Sequence, residues 1–219
     1  MDKVLKQKLI ERAKQLYSED NSGHDFSHIE RVLDYCKKIQ NTEHADWDVV
    51  FVSALFHDVH RVMSCRLGKF VSAKNAMDEV GSILADFNFD NDFLTRVLYV
   101  IENHDDKDME ISKMPIELQI VQDADILDAV GIQGLKRTLK YCKTNHIPVT
   151  SEAYPLDCDE YIPDVNPIST THYITRTMIP QVSKIHTKTA KLLAKEQVQV
   201  LKEFVDKSLK EHNVNNYDI

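Results

Sequence analysis

Residues 49–56, Val-Val-Phe-Val-Ser-Ala-Leu-Phe, carry no charge and run directly into His57-Asp58. A stretch of this length is far too short to span a bilayer. Wound as a helix it is apolar on every side, so it needs other elements around it, and residues 47–58 read as a central helix. The rest of the chain has the period that such an enclosure requires. Leu5, Leu9, Ala13 and Leu16 recur at three or four residues, one face of a first helix. A second helix starts at Asp25, a suitable N-cap, and turns Phe26, Ile29, Val32, Leu33, Cys36 and Ile39 inward. Further helical stretches follow near 72–86, 90–104, 115–129 and 131–144, and a last one runs from Thr189 to Glu211. No alternating run is long enough for a sheet, and 5 glycines with 6 prolines are too few for a turn-rich β fold. The expected fold is an all-α bundle.

Residues 145–170 interrupt the pattern with four of the six prolines and little periodicity. A loop this long within a compact domain reads equally as a lid or binding loop and as a tolerated surface insertion. Nothing else resembles a linker, and 219 residues suit one domain. The expected organisation is therefore a single domain over 1–219, with core motifs at about 20–135, the loop at 145–170 and C-terminal helices at about 171–211. The net charge of −8 argues against binding a nucleic-acid polymer. No segment suggests a membrane span or a signal peptide, and the four scattered cysteines suit reduced thiols in a cytoplasm better than disulfides or a structural zinc site.

Histidine is the unusual component, at 10 of 219 residues. Three places put metal-ligand side chains where a soluble helix would not favour them. His24-Asp25-Phe26-Ser27-His28 opens the second helix. Leu55-Phe56-His57-Asp58-Val59-His60-Arg61 sets a carboxylate against the most apolar helix, where burial is costly without a metal or hydrogen-bonding partner. In Val121-Gln122-Asp123-Ala124-Asp125-Ile126-Leu127-Asp128, Asp125 continues the stripe of Leu118 and Val121, and Asp123 is rotated about 200° from that stripe. Asp128 falls one turn on from Asp125, on nearly the same face. Taken singly, each of these reads as a cap or a salt bridge. Taken together, His28, His57, Asp58 and Asp125 are two imidazoles and two carboxylates on inward faces, a set that suits Mn²⁺, Fe, Zn²⁺, Mg²⁺ or Co²⁺ with positions left for water and substrate.

In these motifs the sequence resembles the HD superfamily of metal-dependent phosphohydrolases, all-helical proteins with the ligand order H…HD…D. GHDFSHIERV is similar to the first motif of that family, ALFHDV to its His-Asp doublet and QDADILDAVG to its last motif. GIQGLKR and THYITRTMIPQVSKIHTKTAKLLAKEQVQVLKEFVDKSL are similar to the C-terminal half of small stand-alone bacterial HD hydrolases, some of them nucleotide pyrophosphohydrolases. Two departures fall where substrate contact is expected. Glu102-Asn103-His104-Asp105-Asp106 stands where that subgroup usually has His-Ser, and His60-Arg61 follows the doublet in place of an acidic stretch. A di-iron oxygenase branch of the superfamily adds two further histidine ligands before the final aspartate. Between the doublet and the final aspartate the reading counts His104 alone, one histidine short of that set, which favours the mononuclear hydrolase.

The resemblance implies attack of a metal-activated water on the phosphorus of a small phosphorylated substrate, a nucleotide above all. It places the metal on His28, His57, Asp58 and Asp125. Arg61, Arg137 and Lys184 are the candidate cations for the phosphates, with Arg31 behind them; for Arg31 and Lys184 a solvated salt bridge is an equal reading. His24 and His104 are candidates for binding phosphate or passing protons. Asp128 or Asp123 is the candidate proton acceptor, and His172 is expected to line the pocket or to serve in packing. His44, His146, His186 and His212 sit in polar contexts and read as surface residues. A homodimer is compatible with the loop and the long last helix. The rival readings are a di-metal oxygenase on the same fold and a non-catalytic nucleotide-binding module.

Overall fold

The computed structural model describes residues 1–18, 24–163 and 165–214, with side chains placed as far as 211. The helices are α1 (Lys3–Tyr17), α2 (Phe26–Glu43), α3 (Trp47–Phe56), α4 (Val59–Leu67), α5 (Met77–Ala85), α6 (Asn91–Asn103), α7 (Ile116–Val130), α8 (Ile132–Thr144), α9 (Thr170–Tyr173) and α10 (Lys188–Val214). Short 3-10 turns precede α5 and α7. Among the described residues there is no strand, only an isolated bridge between Ile162 and Asn166. The expectation of an all-α fold is met. No helix among these residues is long and apolar enough to cross a membrane.

The described residues form two compact units, Met1–Asp125 and Ile126–Ile219. In the first, α3 packs against α1, α2 and α6. Every residue from Val49 to Phe56 is buried, as the uncharged run requires. Aspartates start four of the helices: Asp2, Asp25, Asp46 and Asp90 each accept a hydrogen bond from a backbone N–H of the first turn. Such caps satisfy donors that the helix itself leaves unpaired. α2 stops at His44, whose φ of 54° turns the chain left-handed, and α4 stops in the same way at Gly68.

Asp25 carries a prediction of its own. It accepts from Ser27 N at 3.0 Å and His28 N at 3.3 Å, and its pKa is lowered, chiefly by the Ser27 hydroxyl. A carboxyl whose folded pKa lies below its unfolded value stabilises at neutral pH and loses that contribution as pH falls through the folded value. Asp25→Ala is therefore expected to cost about 1 kcal/mol near pH 7. The difference in melting temperature from wild type should close as the pH drops below about 4. A constant difference from pH 7 to pH 3 would remove the cap from the account.

In the second unit α8 packs against α9 and α10, and α10 against the irregular turns at Ile174–Met178 and Ile179–Lys184. The loop predicted at 145–170 is irregular, and it is tied down rather than loose. Thr170 N and Thr171 N donate to Pro148 O and Val149 O at 2.9 and 3.0 Å. Arg176 Nη1 donates to Cys158 O at 3.0 Å. His172 Nε2 donates to Pro155 O at 2.9 Å while its Nδ1 lies 2.7 Å from Ser169 Oγ. His172 is thus a buried pin for this loop. No disulfide links the four cysteines among the described residues.

Candidate metal centre

The break between α3 and α4 is two residues long, and those residues are His57 and Asp58. His57 occupies the C-cap of α3, and its Nδ1 lies 2.9 Å from Ala54 O. A carbonyl oxygen brings no proton, so Nδ1 is the protonated atom and Nε2 presents a lone pair. Asp58 stands at the N-cap of α4, but its side chain accepts no capping bond from the backbone of that helix. An aspartate there would ordinarily cap its own helix; this one turns its carboxylate to the histidines instead. Its Oδ2 lies 2.8 Å from His24 Nδ1, 3.3 Å from His28 Nε2 and 3.6 Å from His57 Nε2. Its Oδ1 accepts from Arg61 Nε at 3.1 Å.

α2 supplies His28 from its first turn, held by the Asp25 cap. His28 Nε2 is 3.4 Å from His57 Nε2 and 3.7 Å from Asp125 Oδ1 on α7. All four residues expected to hold a metal therefore meet within the first unit, and His24 joins them. Two groupings, His24–His28–Asp58 and His28–His57–Asp125, have ligand atoms within 4.8 Å of one another. His28, His57 and Asp58 are buried, while the Asp125 side chain is 20% exposed and gives the centre an open side.

The electrostatics favour a cation. Burial pushes His57 down to about 4 against the pull of Asp58, so its imidazole is neutral and a competent ligand at pH 7. Burial alone would raise the Asp58 carboxyl, but His57, His104, His24 and His28 hold it well below the ordinary range. Asp125 is treated in the same way: burial opposes its charge, and Lys107 with His57 and His28 holds it ionised. Lys107 Nζ sits 3.0 Å from Asp125 Oδ2.

The other candidate residues are spread over both units. Asp123 is fully buried, so α7 is enclosed beyond the single stripe on which Asp125 was placed. Asp128 and Arg137 pair with each other at 2.7 Å in the second unit. Lys184 is exposed in the 3-10 turn of that unit. Arg31 Nη1 donates to Ser27 Oγ on its own helix. His104 is buried in the first unit, its ring centroid 5.1 Å from that of His57. His44 and His146 are exposed and His186 is half-buried, while the His212 side chain lies outside the described residues.

Three contributors escaped the sequence reading. Lys107 sits in a polar run without periodicity. Gln122 donates to Asn103 O and Asp106 O at 3.0 and 2.9 Å and so fixes the segment that carries His104. His60 lies beside Asp105, with Nε2 3.2 Å from Oδ2. Gln122 lies in a helix that also carries Glu117, Asp123, Asp125 and Asp128 and so gave no distinct signal; His60 showed as a departure after the doublet, and Lys107 had nothing beyond residue type.

Residues 25–130 match the HD domain family model. The chain is similar to the uncharacterized protein YpgQ of Bacillus subtilis, 31% identical over 129 residues, which is 58% of this chain and 60% of that one. An HD-superfamily hydrolase from Bacillus thuringiensis has the same fold, at a TM-score of 0.74 and 24% identity over 95% of this chain and 96% of that one. The Lin1889 protein of Listeria innocua gives 0.72 and 25%, over 98% and 99% of the two chains. B. subtilis YpgQ in complex with ADP gives 0.70 and 24%, over 95% of each.

Proposed function

We propose that the chain is a divalent-metal-dependent phosphohydrolase acting on a small phosphorylated substrate, most plainly a nucleotide. The observation that carries this reading is the convergence of His28, His57, Asp58 and Asp125 in two groupings that share His28, buried at His28, His57 and Asp58 and part exposed at Asp125. The donor set fits a divalent ion: two imidazoles and two carboxylates leave coordination positions free, unlike the closed thiolate sets of structural sites. A divalent ion bound there supplies an activated water and polarises a phosphoryl oxygen.

The chain's own residues do the rest. The Ala54 carbonyl fixes the His57 ring with its lone pair inward. Arg61 and Lys107 bring two cationic groups to the edge of the cluster, each already paired with one of its carboxylates. Either can hold phosphate oxygens and offset charge that builds up during displacement at phosphorus. His24, bonded to Asp58 and part exposed, is placed to pass a proton to a departing oxygen. The nucleotide is supported by the ADP complex of B. subtilis YpgQ, which shares the fold.

The test is a metal count on the purified chain, then turnover with Mn²⁺, Mg²⁺ or Co²⁺ against nucleoside mono-, di- and triphosphates, with phosphate and pyrophosphate detected separately. Chelation should abolish turnover and the added ion restore it. Pyrophosphate from triphosphates would define a pyrophosphohydrolase, and phosphate from monophosphates a nucleotidase. A chain that binds no divalent metal would overturn the reading.

A further inference from the structure

Asp125 gives its two oxygens to different neighbours. Oδ1 lies 3.7 Å from His28 Nε2, on the side of the cluster, while Oδ2 accepts from Lys107 Nζ at 3.0 Å. Asp105, Asp106 and Asp108 flank Lys107 and are exposed, yet its ammonium reaches Asp125, 18 positions on. The contact is held from behind. Asp106 N donates to Asn103 O at 3.1 Å and Lys107 N to Asp105 O at 3.0 Å, which winds the segment into tight turns. Gln122, fully buried on α7, clamps those turns by donating to Asn103 O and Asp106 O. One helix therefore carries the carboxylate and, three residues earlier, fixes the segment that brings the ammonium to it. The Lys107 and Asp125 side chains are 23% and 20% exposed, a setting in which charges are screened much less than on open surface.

This pairing sets the charge of the centre before any ion arrives. Asp58 and Asp125 carry two negative charges; Arg61 on Asp58 Oδ1 and Lys107 on Asp125 Oδ2 return two positive ones. Burial keeps His57 neutral at pH 7. Burial opposes the Asp125 charge as well, and Lys107 is foremost among the groups that hold it ionised. The carboxylates that would attract a divalent ion are thus already answered, and an ion on Asp125 meets the ammonium at close range. Their repulsion weakens the hold on the ion unless an anion draws the ammonium off. A phosphate group is such an anion, since its oxygens accept charge-assisted bonds from an ammonium.

We propose that Lys107 is a resident counter-ion that competes with the divalent cation for Asp125 and passes to the phosphate of an incoming substrate, so that cation and phosphate strengthen each other's binding. The proposal rests on the reading of the metal centre given above and deepens it. Lys107 sets how tightly the free chain keeps its ion, and makes that affinity depend on the anion present. Linkage makes the effect mutual: the factor that phosphate lends to the cation, the cation lends to phosphate.

Mn²⁺ tests it without reference to turnover. The full-length chain, stripped with chelator, is titrated with Mn²⁺ by isothermal calorimetry, with and without inorganic phosphate as the probe. Lys107→Met should bind Mn²⁺ at least about 10-fold more tightly than wild type, the effect of one unit charge near a divalent ion even at the dielectric of water. Lys107→Arg, which keeps the charge, should stay near wild type. Lys113→Met removes an exposed lysine paired with Glu110 and should shift the affinity by less than about 2-fold. Phosphate should tighten Mn²⁺ binding by a larger factor in wild type than in Lys107→Met. Far-UV circular dichroism accompanies each chain, and Lys107→Gln takes the place of Lys107→Met if the latter loses helicity. Three results overturn the inference and leave the ligand assignment intact: unchanged or weaker Mn²⁺ binding by the folded neutral variant, an equal gain from Lys113→Met, or a phosphate factor as large in the neutral variant as in wild type. No Mn²⁺ bound by either wild type or Lys107→Met overturns the reading on which it rests.

Discussion

Asp125→Ala is expected to weaken Mn²⁺ binding by more than about 100-fold, because removing even the outer partners of metal ligands costs about 10–100-fold. Turnover should fall at least in proportion. The fold should survive. Asp125 is the most accessible of the four candidate ligands, and Leu118, Val121, Ala124, Ile126 and Leu127 on α7 are buried and hold the helix without it. The replacement also releases Lys107, whose ammonium sits on Asp125 Oδ2. Asp125→Asn separates the two effects, since the amide keeps an oxygen for Lys107 and removes the charge that a divalent ion requires. Isothermal titration with Mn²⁺ and far-UV circular dichroism together check the claim. Helicity retained with binding lost in both variants is the expected result. Wild-type affinity in both would place the ligands elsewhere.

Phe56→Ala is expected to destabilise the protein by about 3–5 kcal/mol, the usual cost of truncating a fully buried aromatic side chain in a core that relaxes only in part. Phe56 is wholly buried at the last position of α3, the helix packed by α1, α2 and α6. It also immediately precedes His57, so any settling of the end of α3 into the cavity moves the ligand with it. Thermal melts in the absence of metal read the first effect. A metal titration on the folded variant reads the second, as a loss of affinity smaller than that of Asp125→Ala. A loss of stability below about 1 kcal/mol would mean that the surrounding helices close the gap.

Much of this was legible in the sequence. The uncharged run at 49–56 demanded enclosure and received it, and the three-and-four spacing located α2, α6, α7, α8 and α10 to within a few residues. The four residues of the cluster were legible because a carboxylate beside an apolar helix is a conspicuous cost. What escaped was set by tertiary contact. His60 reads as a departure next to the doublet until Asp105, forty-five positions on, is brought against it. Lys107 lies in a stretch with no period at all. Asp123 was set apart by helical rotation, yet α7 is covered around most of its circumference, which periodicity cannot show for a helix carrying polar residues. The turns at 174–184 alternate between tighter and looser windings, and no spacing rule reads those.

One small feature reaches beyond this chain. The rings of His57, His60 and His104 are aimed by carbonyls three residues behind them, and for His57 and His104 those carbonyls belong to the last turn of a helix that would otherwise leave them unanswered. Ring orientation therefore comes with the helix ending itself and demands no dedicated supporting residue. A designer wishing to install an imidazole donor in a helical bundle could borrow that economy: end two helices on histidine, point the ends at one carboxylate, and the tautomer is chosen before any ion arrives.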